Sequence, residues 1–130
     1  TLEPGSKHAF MDITPGNGAS FQVRNTLGGD SFQQSQGGIT APYWVKVERD
    51  AAGCFSGYYS ADGITWQQVQ DATPVQITMS QNVYIGLAVT SHSAGVTCKA
   101  EFSDVLTTGS VSPSMWTHQA IGTIILMLHR

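Results

Sequence analysis

Apolar and polar residues alternate with a period of two along much of the chain, as expected of strands with one buried and one wet face. The pattern predicts strands over 8–14, 19–25, 43–49, 54–60, 65–69, 83–91 and 96–106, with shorter ones at 75–79 and 31–36. Turn formers separate them: Pro15-Gly16-Asn17-Gly18, Leu27-Gly28-Gly29-Asp30, Gly37-Gly38, Ala61-Asp62-Gly63 and Ser93-Ala94-Gly95. The segment 43–66 reads as three antiparallel strands joined by two tight polar turns, and the Asp-Gly pair supplies the positive φ that such a turn requires. No stretch carries a helical period, so the expected class is all-β.

Alternation also sorts the faces. Ala9, Met11 and Ile13, Ala19, Phe21 and Val23, and Val83, Ile85, Leu87 and Val89 fall on core faces. The opposite faces then carry Asp12, Gln22, Arg24, Tyr84 and His92, which form one polar surface if their strands share a sheet. A polar surface with an aromatic at one end suits a sugar, which offers paired hydroxyls and an apolar ring face. The plainer alternative is a solvated sheet face, with Asp12 and Arg24 as a cross-strand pair.

The 130 residues fit one domain with a single core. Only 12% are charged, and the net charge of -3 with six scattered basic residues offers no patch for nucleic acid. The apolar run near the C-terminus falls far short of the ~20 residues of a membrane-spanning helix. Cys54 and Cys98 allow one disulfide in an oxidising compartment, or two small buried thiols.

Tyr43-Trp44-Val45-Lys46-Val47-Glu48-Arg49, Tyr58-Tyr59-Ser60-Ala61-Asp62-Gly63 and the segment 83–92 resemble a bacterial extracellular module of the concanavalin A-like lectin/glucanase superfamily. The likeness is close to the laminin G-like sandwiches and to β-xylosidase C-terminal-like domains. It implies an antiparallel jelly-roll β-sandwich over 1–109 lacking its first strands, a linker at 110–115, and at 116–130 the start of a following module or a divergent tail. It further implies an extracellular or cell-surface repeat unit with neighbouring domains in the same polypeptide. In that superfamily glycans often bind a concave sheet, which points to the face of Asp12, Gln22, Arg24, Tyr84 and His92 as the contact for a polysaccharide.

Catalysis is not expected. The nine carboxylates include no close alternating set such as Glu-x-Asp-x-x-Glu, so a glycosidase pair across one cleft has no basis in the spacing. Ser60-Ala61-Asp62-Gly63-Ile64-Thr65-Trp66 resembles the Asp-box hairpin of sialidase-type propellers but is one residue short. It reads instead as a turn held by Asp62 and Ser60, with Trp66 packed on the sheet. The four histidines lack metal-ligand spacing. No cofactor is expected; calcium, which laminin G-like relatives often hold at a rim, stays unassigned among the turn residues Asp30, Asp50, Asp62 and Asp71. The functional expectation is a non-catalytic glycan-binding or adhesive unit, the alternatives being a structural spacer or an auxiliary domain of a glycoside hydrolase.

Overall fold

The structure, a computed structural model, describes residues 3–69, 73–111, 116–121 and 124–129, with the backbone alone from 118 onward. Among them there is no helix, and every strand pairing is antiparallel. The chain divides into two units, Glu3–Ser80 and Gln81–Arg130.

In the first unit β1 (His8–Thr14), β2 (Gly18–Arg24) and β3 (Phe32–Gln36) form one sheet in that order. The β1–β2 register pairs Met11 with Phe21 and Thr14 with Gly18, and Thr14 Oγ1 accepts the Asn17 amide at 2.9 Å to close the turn. A second sheet holds β4 (Trp44–Arg49), β5 (Cys54–Ser60) and β6 (Gln67–Gln68), with β7 (Val75–Gln76) pairing β5 at its other end. The Ala41–Pro42 peptide bond that precedes β4 is cis.

The two sheets pack face to face as a β-sandwich. Ala19, Phe21 and Val23 come from the first sheet and Phe55 and Tyr59 from the second, joined by Ile39, Val69 and Ile77, all buried. Ala9, Met11 and Ile13 pack against this cluster, so the faces expected for β1 and β2 are the observed ones. Burying an apolar side chain of Phe21's size is worth ~1.5–3 kcal/mol, which makes this cluster the main source of the unit's stability. Gly57 lies where β5 meets the first sheet: a Cβ there would fall 2.5 Å from Met11 Sδ and 2.6 Å from Phe21 Cδ2. Its lack of a side chain is what allows the sheets to come this close.

Two cations tie the end of the unit down. Arg49 donates to the carbonyls of Met79 and Ser80 at 3.4 and 3.3 Å while its guanidinium lies over Phe55, and Lys7 donates to Thr78 O at 2.9 Å. Cys54 is half-buried and its Sγ donates to Gln76 Oε1 at 3.1 Å; Cys98, in the second unit, is exposed. Both are free thiols, and neither is the fully buried small residue considered from the sequence.

In the second unit β8 (Ile85–Ala88) pairs with β10 (Ile124–His129), which in turn pairs with β9 (Thr117–Ile121). Here the sequence pattern overreaches. The strand expected over 83–91 is confined to 85–88, and the one expected over 96–106 is not formed. A strand persists where a neighbouring backbone takes its hydrogen bonds, and 85–88 has such a neighbour in β10. The expected core face is also open: Val83 and Ile85 are each 40% exposed. No helix among the described residues is long and apolar enough to cross a membrane.

Candidate functional site

Three features of the first unit bring polar and aromatic side chains together. The polar face of the β1–β2–β3 sheet is the first, and it carries three of the five residues singled out from the sequence. Gln22 Nε2 donates to Asp12 Oδ2 at 2.8 Å, diagonally across the β1–β2 pair. Arg24, two positions along β2, donates from Nη1 to the carbonyls of Pro4 at 2.7 Å and Ser6 at 3.3 Å. Directly across from Arg24 sits His8, whose Nδ1 is 3.3 Å from Ser6 O. Burial lowers the His8 pKa and the Arg24 charge adds to that, against the opposing pull of the Ser6 carbonyl. Further along the face Ser20, Gln33 and Ser35 are joined, with the two serine hydroxyls 2.9 Å apart and Gln33 donating to Ser35 Oγ at 2.8 Å. Much of this face is therefore bonded within the first unit, although the buried His8 Nε2 and Arg24 Nε have no partner among the described residues.

The other two predicted residues lie elsewhere. Tyr84 precedes β8 and His92 follows it, both in the second unit, and β8 belongs to a different sheet from β1–β3. His92 does not end a strand: it occupies a turn with φ 55°, its amide donating to Thr90 Oγ1 at 3.1 Å. A non-glycine residue takes such a left-handed conformation rarely, histidine more readily than most. The five residues are thus not brought onto one sheet face.

The second feature is the turn between β5 and β6. Asp62 Oδ1 accepts the Ser60 hydroxyl at 2.9 Å and the amides of Ile64 and Thr65 at 2.8 and 2.7 Å, while Ser60 Oγ accepts the amides of Asp62 and Gly63. Donation from the Thr65 and Ile64 amides and then from Ser60 holds the Asp62 pKa down to about 2. Gly63, with φ 72°, lies against Trp44: a Cβ there would sit 2.8 Å from Trp44 Cε2. Asp62 and Ser60 bond their own turn, as expected from the sequence. Beside the turn is a cavity of about 100 Å³ lined by Tyr43, Tyr59, Ser60, Asp62, Thr65 and Gln67. The Tyr43 and Tyr59 rings are 6.3 Å apart and tilted by 43°.

The outer face of the second sheet is the third feature. Trp44, Lys46 and Glu48 alternate on β4, and Tyr58 is the cross-strand partner of Lys46. Lys46 Nζ lies 4.7 Å from the centre of the Tyr58 ring and 4.6 Å from that of Trp66, and bonds Glu48 Oε1 at 2.8 Å. Trp44 is 37% exposed. Trp44, Lys46 and Glu48 share this face because successive side chains of a strand alternate between its two sides, a pattern already present in the sequence.

Among the described residues no group of three or more His, Cys, Asp or Glu side chains gathers as a metal site would require. Compared with family models, curated proteins and solved structures, the chain matches none. What its fold defines is a class, the all-β proteins with face-to-face antiparallel sheets.

Proposed function

We propose that the chain is a non-catalytic β-sandwich module of jelly-roll type that binds glycans or serves adhesion as part of a larger secreted or surface protein. The observation that carries this is the outer face of the second sheet, where Trp44, Tyr58 and Trp66 stand among Lys46, Glu48 and Gln68. Aromatic rings among hydrogen-bonding side chains on a regular sheet suit the two sides of a pyranose, its C–H face and its hydroxyl edge. Lys46 already lies over Tyr58 and Trp66, so the stacking surface is the part of the Trp44 ring that Gly63 leaves exposed. The polar face bearing Asp12, Gln22 and Arg24 supports the reading less, because Gln22 bonds Asp12 and Arg24 bonds the carbonyls of Pro4 and Ser6.

A structural spacer is the competing reading, and one observation favours it: Lys46 occupies a face of two of the three rings. A glycan array probed with the whole chain and with Trp44→Ala separates the two. Binding by the parent that Trp44→Ala removes supports the module reading. Absence of binding to plant, algal and bacterial polysaccharides favours the spacer.

A further inference from the structure

β4 is an edge strand: among the described residues it pairs β5 alone. Just beyond it the Asp50 amide donates to Cys54 O at 2.9 Å, which fixes the side to which each β4 residue turns its backbone. Counting back in twos, Trp44, Lys46 and Glu48 bond β5, while the amides and carbonyls of Val45 and Val47 point to the open side. The bond from the Val69 amide to Gly57 O at 3.1 Å agrees, because Gly57, opposite Val47, turns its own groups away from β4. Val45 and Val47 face inward, opposite Tyr59 and Gly57, yet are 38% and 37% exposed. The edge also lacks the usual devices against strand addition, having no proline within it and no inward charge before Arg49 at its end.

A second stretch has the complementary defect. Residues 98–103 alternate Cys98, Ala100 and Phe102 with Lys99, Glu101 and Ser103, all exposed, and form no strand. Gly95 with φ 74° and Asp104 with φ 54° interrupt extended backbone on either side. Lys99 bonds Glu101 at 2.6 Å, two positions along, as Lys46 bonds Glu48 at 2.8 Å.

Laid antiparallel, the two stretches match in a single register. Lys46 meets Glu101 and Glu48 meets Lys99 on one side, while Val45 meets Phe102 and Val47 meets Ala100 on the other. Displacement by two residues sets Lys46 against Lys99 or Glu48 against Glu101, and displacement by one turns the apolar side outward. A parallel alignment joins at most one pair of opposite charges. With Val45 and Val47 bonding the added strand, the charged pairs fall where facing side chains lie closest.

We propose that β4 of one copy of the chain takes residues 98–103 of a second copy as an added antiparallel strand, and that the exchange is reciprocal, closing a two-fold dimer. Charge order selects the second copy as the occupant: an unrelated strand satisfies the valine backbone groups equally well but has no reason to present lysine and glutamate in the matching order. Reciprocity gives both copies the same contact and leaves neither stretch open. The dimer goes beyond the glycan reading and does not rest on it, since it uses the backbone edge of β4 and not the ring face of Trp44.

The test is sedimentation velocity of the whole chain over a range of concentrations, with Glu48→Lys, Lys99→Glu and an equimolar mixture of the two. The parent sediments as a concentration-dependent dimer. Each variant alone sets like charges opposite each other at both contacts of the dimer, so its dissociation constant rises about tenfold or more. In the mixture the two reversed charges face each other at one contact and the unaltered pair at the other, and dimer returns to the parent level. Glu101→Lys, at a position as exposed as Lys99, sets a second cation against Lys46 and weakens the dimer likewise. Near-UV circular dichroism unchanged from the parent verifies the fold of each variant. A parent that stays monomeric throughout, as when 98–103 joins a different partner, overturns the inference; so do variants that dimerise as tightly as the parent, or a mixture that fails to recover. A polysaccharide response at Trp44 bears on none of these outcomes, so the two readings fail separately.

Discussion

Gly57 of β5 sits against the Phe21 ring of β2, close enough that a methyl group on its Cα would lie 2.6 Å from Phe21 Cδ2. Phe21 is 1% exposed and has no empty space to retreat into. Gly57→Ala therefore destabilises the domain by ~1–3 kcal/mol, despite alanine's smaller loss of backbone entropy on folding. The shift in urea midpoint at unchanged m-value checks it.

The reverse change opens a void at the same place. Phe21→Ala removes a ring packed between the two sheets and costs ~3–5 kcal/mol, a large share of the stability of a domain this size. Thermal melts of the variant then begin far below those of the parent, or show no cooperative transition.

The Asp62 turn distinguishes charge from hydrogen bonding. Asp62→Ala strands the Ile64 and Thr65 amides and the Ser60 hydroxyl, whereas Asp62→Asn keeps an acceptor for them. The alanine variant melts at a lower temperature than the asparagine variant. With acid, the parent turn holds until the pH falls below the carboxylate's ordinary 3.8, and its contribution is lost progressively between there and about 2.

His8 makes the domain sensitive to mild acid. Its folded pKa lies below the ordinary 6.5, chiefly through burial, so the unfolded chain takes up the proton first. Stability accordingly falls as pH drops through about 6.5 and levels off below the folded value. Urea midpoints measured on either side of 6.5 show this slope, and His8→Gln flattens it.

How far the sequence disclosed the fold follows from what each strand had for neighbours. The strands 8–14 and 54–60 coincide with β1 and β5, because their alternation is framed by turn residues and each finds a partner at a tight hairpin. The faces of β1 and β2 were equally legible, with Phe21 inward and Gln22 outward. The segment 96–106 has the same alternation yet forms no strand, and Val96, Phe102, Val105 and Leu106 are all exposed. Periodicity states which side of a strand is apolar; it does not supply the backbone that pairs with it.

The candidate surfaces were legible in part for the same reason. Asp12, Gln22 and Arg24 share a face because β1 and β2 are adjacent in sequence. Grouping Tyr84 and His92 with them required a long-range pairing of 83–91 that local pattern does not encode, and the left-handed turn at His92 was hidden as well. The stacking of Lys46 between Tyr58 and Trp66 likewise depends on register between three strands.

Glycan binding at the outer face of the second sheet is proposed to run through Trp44. Its most direct measurement is the indole NMR signals of Trp44, Trp66 and Trp116 during titration of the whole chain with soluble polysaccharide fragments. The expected result is a saturable shift at Trp44, a smaller one at Trp66 and none at Trp116, with Trp44→Ala abolishing the effect. Indole signals that do not move with any fragment, or that move equally at all three positions, contradict it.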